Sequence, residues 1–159
     1  MLASLLRWTI LAQVMAGGWL GYALADPIHV PWLGAVLMGI AMPFALLLVT
    51  ITVSALLTRA SEEPAHLWWR SLVGELIASI TVFIFRQPWS FARPALQPAT
   101  STITRIPVVL VHGYLCNHRI WDDVGQRLRA QGHAVYAIDL EPLFGSIDNY
   151  AAALETAVY

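Results

Sequence analysis

Two histidines and the single cysteine of the chain lie close together, as His112, Cys116 and His118. Imidazole and thiolate groups are common zinc ligands, and a cysteine beside a histidine can act as a nucleophile. A tetrahedral zinc site needs a fourth ligand, however, and a different scaffold. The pattern therefore disfavours a metal centre, and we expect no cofactor.

These residues follow a run that is typical of a buried strand. Ile106–Val111 is short, continuous and rich in β-branched residues, as in a strand buried on both faces of a parallel sheet. His112-Gly113-Tyr114 ends it. A second run of the same kind, Ala134–Ile138, ends at Asp139. The sequence therefore predicts two parallel strands.

A helix is predicted between the two strands. Asn117 is a candidate N-cap, and Gly132 has the position of a C′ glycine. Asp123 and Arg127 are an expected i,i+4 ion pair on the exposed side. The apolar face consists of Ile120, Trp121, Val124 and Leu128. Strand, helix and strand together have the length of a βαβ unit, and a last helix capped by Ser146 follows.

Here the chain resembles a known family. Pro107–Asn117, with Trp121, Leu128, Gly132 and Val135–Leu140, is similar to the N-terminal part of an α/β-hydrolase. The similarity is greatest to bacterial lipases and esterases, including members with an N-terminal membrane anchor, and it covers only residues from 106 onward. It implies a parallel α/β fold and hydrolysis of carboxylic esters by a serine nucleophile.

The resemblance also implies roles for three residues. In that family the loop after this strand supplies one donor of the oxyanion hole, which here is the backbone N–H of Tyr114. A preorganised N–H aimed at the tetrahedral oxyanion can be worth about 3–4 kcal/mol. Gly113 lets the backbone approach the substrate because it has no Cβ. His112 is a structural residue of the loop and not the catalytic base. The alternative for Tyr114 is an ordinary loop aromatic.

The nucleophile elbow of the family, Gly-x-Ser-x-Gly, is absent. The nearest serine context, Phe144–Asp148, lacks the second glycine. In family order the nucleophile, acid and base come later in the chain, so all three would lie beyond Tyr159. We therefore expect an incomplete α/β-hydrolase segment, the front part of a longer protein, that is inactive as this chain alone.

The first 60 residues indicate a membrane anchor. They carry only three charges, Arg7, Asp26 and Arg59, and contain two apolar runs, Trp8–Ala25 and Pro31–Thr58. Two such runs with a short polar link predict an α-helical transmembrane hairpin. Gly17-x-x-x-Gly21 is a close-packing motif, Pro43 should kink the second helix, and Asp26–Val30 forms the turn. A cleaved signal peptide ending at Ala25 is the alternative.

The third apolar segment, His66–Phe85, has two interpretations. Ser71, Glu75 and Ser79 recur every four residues and form one polar stripe of a helix. The helix either lies in the membrane interface or crosses the membrane with its stripe facing the hairpin. We favour the interface because a charge at mid-bilayer is costly and because the stretch between Arg70 and Arg86 is short for a span. Glu75 would then be a solvated acid rather than a functional one.

The predicted organisation is a hairpin over 1–60, an amphipathic or third membrane helix over 61–86, a Pro/Ser/Thr linker over 87–105 and the α/β segment over 106–159. Hydrophobic residues make up 58% of the chain and charged ones 12%, and the net charge is −1, which excludes a disordered chain and a nucleic-acid partner. The expected partners are membrane lipid and an ester or lipid substrate.

Arg7 and Arg59 flank the hairpin, which places both of its ends on the cytoplasmic side of a bacterial inner membrane. We expect a multi-pass protein whose C-terminal part is also cytoplasmic. Two classes of function remain: a membrane-anchored lipase- or esterase-type serine hydrolase, and a non-catalytic small membrane protein or truncated gene product.

Overall fold

The computed structural model describes residues 1–25, 29–60, 62 and 64–158. They form two compact units, a helical unit (Arg7–Phe85) and an α/β unit (Met1–Leu6 with Arg86–Tyr159). The elements in chain order are α1 (Leu2–Ala25), α2 (Pro31–Leu57), α3 (Ala65–Ser79), β1 (Arg105–Val111), α4 (Asp122–Ala130), β2 (His133–Ile138) and α5 (Ile147–Val158). After Ser79 the third helix continues as a π-helical segment, Ile80–Arg86, and a 3₁₀ turn, Gln87–Trp89.

Two described helices are long and apolar enough to cross a membrane, Pro31–Leu57 and Ala65–Trp89. α1, which contains the first apolar run, is not one of these two helices. The run is helical, and its helix begins earlier than predicted, at Leu2. A spanning role for α1 therefore stays a prediction. Most of the predicted turn between α1 and α2, residues 26–28, lies outside the described residues.

Glycines allow α1 and α2 to approach each other closely. A Cβ on Gly21 would collide with the backbone of Gly34, and one on Gly17 would come within 2.5 Å of the Met38 carbonyl oxygen. A Cβ on Gly18 would meet the Ala35 carbonyl oxygen only at 3.6 Å, an ordinary contact. The close packing predicted for Gly17-x-x-x-Gly21 is therefore confirmed.

The third helix packs on α2. Trp68 and Leu72 are buried against Ile51, and the Trp68 indole N–H donates to the Ala55 carbonyl at 3.1 Å. The Arg59 guanidinium lies 5.3 Å from the Trp68 ring centroid.

The polar stripe of the third helix faces α2. Ser71 and Glu75 line a cleft of about 430 Å³ whose α2 side carries three hydroxyl residues, Thr50, Ser54 and Thr58. The helix also runs past Arg86 to Trp89, 25 residues in all, so the shortness inferred from the position of Arg86 does not apply. The preference for an interfacial helix loses that support and stays a prediction.

In the α/β unit, β1 and β2 form a two-stranded parallel sheet. Val108 lies opposite Val135, and Val111 lies opposite Ile138, with a register irregularity between Arg105 and Val108. α4 packs on β2 through Gly125, where an added Cβ would lie 3.7 Å from the Val135 Cγ1 atom. The predicted βαβ order is therefore present.

Two sequence expectations need correction in this unit. β1 is not buried on both faces, because none of its residues is fully buried and Ile106 is 82% exposed. Asp123 does not pair with Arg127. It accepts two hydrogen bonds of 2.8 Å from Arg86, whose planar guanidinium matches both carboxylate oxygens.

The predicted caps are confirmed. The Asn117 side chain accepts from the Arg119 N–H at 3.1 Å, although the helix begins as a 3₁₀ turn, His118–Trp121. Gly132 has φ +101° directly after α4, and the Ser146 hydroxyl accepts from the Asn149 N–H at 3.3 Å. The segment predicted as a linker reaches the other edge of β2, where Gln97 exchanges two backbone hydrogen bonds with Val135.

Candidate active site

His112 joins the carboxyl ends of the two strands. Its side chain is buried, its Nδ1 lies 2.8 Å from the Gly113 carbonyl oxygen, and its Nε2 accepts from the Leu140 N–H at 3.1 Å. This pattern places the ring proton on Nδ1, because a carbonyl oxygen can only accept. With Nε2 already engaged, the ring holds the loop in place and is poorly disposed to act as a base.

The next two residues, Gly113 and Tyr114, are exposed to solvent. A Cβ on Gly113 would meet nothing within 4 Å. The Tyr114 N–H donates to no acceptor in the part of the chain that the structure describes. The Tyr114 ring is 64% exposed and lies edge-on to Phe144, with ring centroids 6.0 Å apart. This loop therefore offers an unpaired N–H beside open space, which is the feature that an oxyanion donor requires.

The loop holds an uncommon backbone conformation at Leu115, whose φ is +56°. Only a few per cent of residues other than glycine adopt positive φ, and such residues persist when their surroundings hold them. The strained backbone is therefore at Leu115, the residue directly after the candidate donor Tyr114.

An aspartate–histidine pair lies beside the loop and was not predicted as part of the site. The Asp139 carboxylate accepts from the His118 backbone N–H at 2.6 Å, and the His118 Nδ1 lies 3.0 Å from each carboxylate oxygen. Burial raises the pKa of Asp139, but the hydrogen bonds from the His118 ring and backbone N–H outweigh it and lower the pKa below its ordinary value. Asp139 is thus an ionised anchor for the start of the His118–Trp121 turn.

The sequence contained one signal for this pair. Asp139 directly follows a parallel strand, at the edge where sites of open α/β sheets form. Nothing in the spacing indicated His118 as its partner, because 21 positions separate the two residues.

Cys116 and the two histidines do not form a metal centre in this structure. Within the described residues no group of three His, Cys, Asp or Glu side chains could hold a metal ion. The His112 Nε2 and the His118 Nδ1 already have hydrogen-bond partners. Cys116 is partly buried, and burial raises the pKa of its thiol, with a smaller opposing effect of Gln87. A raised pKa keeps the thiol protonated and weakens it as a nucleophile.

A cavity of about 750 Å³ lies at this edge of the sheet. His112, Cys116, Asn117 and Asp139 contribute to its lining. Its volume falls in the range of small-molecule sites in proteins. Comparisons with models of known protein families, with curated proteins and with solved structures found no match.

Proposed function

We propose that this chain supplies the membrane anchor and the oxyanion loop of a serine hydrolase of the α/β-hydrolase type, which cleaves carboxylic esters. The Tyr114 N–H is one donor of the oxyanion hole, Gly113 leaves room for the ester carbonyl, and His112 holds the loop. The expected partners are membrane lipid and an ester or lipid substrate.

One observation carries this proposal. The Tyr114 N–H is unpaired within the described residues and lies at the carboxyl edge of a parallel strand pair, next to a glycine with open space above it. An exposed loop N–H without a protein partner is available to a ligand oxygen, and this one lies where the resemblance requires a donor. The buried His112 supports the assignment because its two hydrogen bonds fix the start of the loop.

The loop contributes electrostatic stabilisation and not bond-breaking chemistry. As the ester carbonyl carbon becomes tetrahedral, its oxygen gains negative charge, and a fixed N–H dipole lowers the energy of that state. The nucleophile, acid and base are not among these 159 residues in the family arrangement. We therefore assign the nucleophile, acid and base to a part of the protein outside these 159 residues.

We also propose how the chain is arranged in the membrane. We assign a multi-pass arrangement in a bacterial inner membrane with the α/β unit on the cytoplasmic side. Two helices of membrane length support membrane association, and Arg86, Arg93 and Arg105 support cytoplasmic retention because positive residues after a span resist translocation.

The test uses the chain extended by the coding sequence that follows Tyr159. We expect a Gly-x-Ser-x-Gly motif there and covalent labelling of its serine by a fluorophosphonate probe, whereas the 159-residue chain alone is not labelled. In the extended protein, Tyr114→Pro removes the N–H and should lower kcat by about 10²–10³-fold. Tyr114→Ala is the matched control, because it removes the ring and keeps the N–H.

Two results would contradict the proposal: no such motif in any downstream reading frame, or equal activities for the proline and alanine variants. The first result would favour a non-catalytic membrane protein. Equal activities in an active protein would mean that another group binds the oxyanion.

A further inference from the structure

A buried glutamine holds the far end of the candidate oxyanion loop. Gln87 is fully buried. Its side-chain Oε1 accepts from the Asn117 backbone N–H at 2.8 Å, and its backbone carbonyl accepts from the Asn117 side-chain amide at 3.0 Å. Asn117 is itself buried, at 5% exposure, so these two hydrogen bonds are shielded from water.

The two bonds fix both the backbone and the side chain of Asn117. Its remaining amide oxygen accepts from the Arg119 N–H, which starts the His118–Trp121 turn. Arg86, which precedes Gln87, binds the start of α4. Its guanidinium donates two hydrogen bonds of 2.8 Å to Asp123. The last turns of the third helix therefore hold the chain directly after the loop.

The loop between these anchors is short and strained. Its near end is fixed by His112, its far end by Asn117, and Leu115 between them has φ +56°. A residue in this region costs of the order of 1–3 kcal/mol and keeps its conformation only when its surroundings impose it. The direction of the Tyr114 N–H depends on that conformation, because Tyr114 immediately precedes Leu115.

We propose that Gln87 is a positioning residue of the oxyanion loop: its clamp on Asn117 maintains the strained loop and so the direction of the Tyr114 N–H. The catalytic meaning of this clamp rests on the function proposed above. Gln87 contacts no reacting atom and acts through Asn117.

The test replaces Gln87 by an apolar residue of similar size. Gln87→Met removes the Oε1 acceptor, and Gln126→Met on the exposed face of α4 is the matched control. In the detergent-solubilised chain, we expect Gln87→Met to speed hydrogen exchange of the Asn117 amide about three- to tenfold, the factor that corresponds to one hydrogen bond of ordinary net strength. The amides of β2 should exchange at the wild-type rate.

Cys116 provides a second measurement, because it is the only thiol of the chain and lies inside the loop. Its alkylation rate is measured against pH up to the plateau at which the thiol is fully ionised. At the plateau the fraction of ionised thiol no longer differs between variants, and the rate there should rise in Gln87→Met and not in Gln126→Met.

The inference is overturned if the Asn117 amide and Cys116 behave as in the wild type. It is also overturned if the β2 amides accelerate equally, since Gln87 would then support the whole unit and not the loop. Neither measurement needs an active enzyme, so the clamp is judged separately from the Tyr114→Pro result. In an active extended protein, Gln87→Met should lower kcat and leave KM unchanged.

Discussion

At the scale of single residues, Asp139 is the charged group on which the site's hydrogen-bond network depends. It receives the backbone N–H and the ring of His118, and its backbone neighbour Leu140 donates to His112. The carboxylate form is favoured by these donors, so its ionisation contributes to the stability of the folded state.

The pH dependence of unfolding tests this contribution. The folded-state pKa of Asp139 lies below its ordinary value, so the stabilisation is complete above the unfolded pKa of about 4 and is lost as the pH falls through the folded pKa. The difference in unfolding free energy between wild type and Asp139→Asn should therefore shrink as the pH is lowered below about 4. A difference that is constant or grows on acidification would contradict this account.

Gly132 is a second residue whose role is conformational. Its φ is +101°, and a Cβ would collide with the Ile103 carbonyl oxygen. Gly132→Ala should lower the free energy of unfolding by about 1–3 kcal/mol, measured by denaturant titration in detergent. Gly113→Ala is the control, because its Cβ would enter open space and should leave stability unchanged. Equal losses in both variants would contradict a specific role for the positive φ and the close contact at Gly132.

Only part of this site could be predicted from the sequence. Gly113 and Tyr114 could be predicted as loop residues of the site because a buried-strand pattern immediately precedes them. The partnerships of Asp139 with His118 and of Gln87 with Asn117 join positions 21 and 30 residues apart, and neither local periodicity nor spacing encodes which polar side chains meet across that distance.

At the scale of elements, the helix–helix contact in the hairpin depends on small residues. The backbones of Gly21 and Gly34 pass so closely that neither position has room for a methyl group. In an apolar solvent this close approach matters because helices there associate through packing and hydrogen bonds, without a hydrophobic driving force.

Gly21→Ala should therefore weaken the packing of α1 on α2, by about 1–3 kcal/mol as for other overpacked contacts. Gly18→Ala is matched to it in chemistry and helix, and its Cβ would make only an ordinary contact. Cysteine cross-linking between the two helices in membranes measures the effect. Cross-linking that falls equally in both variants would show that the close contact at Gly21 is not responsible.

Helix ends were predicted where a capping residue marks them locally. They were missed where they involve contacts with residues distant in sequence. Asn117, Gly132 and Ser146 marked helix ends through their own capping chemistry. The third membrane segment was predicted as His66–Phe85, with a linker from residue 87. A 3₁₀ turn, Gln87–Trp89, continues the helix instead. Arg86 binds Asp123 and Gln87 binds Asn117 there, and sequence alone does not reveal these contacts.

At the scale of the whole molecule, the proposed cytoplasmic placement of the α/β unit can be tested chemically. A Ser101→Cys variant that also carries Cys116→Ser has one thiol shortly before β1. In intact spheroplasts it should be shielded from a membrane-impermeant maleimide and become reactive after lysis. Labelling before lysis would mean that residue 101 faces the periplasm.

The outer edge of β1 has a consequence for the behaviour of the chain at high concentration. Within the described residues that edge has no strand partner, and the exposed Ile106 lies on the same strand. An open apolar edge is a template for intermolecular β-aggregation. Pro107 lacks an N–H and lies at the register irregularity, so it limits the regular ladder that β1 can form. We therefore expect Pro107→Val to favour fibrillar association.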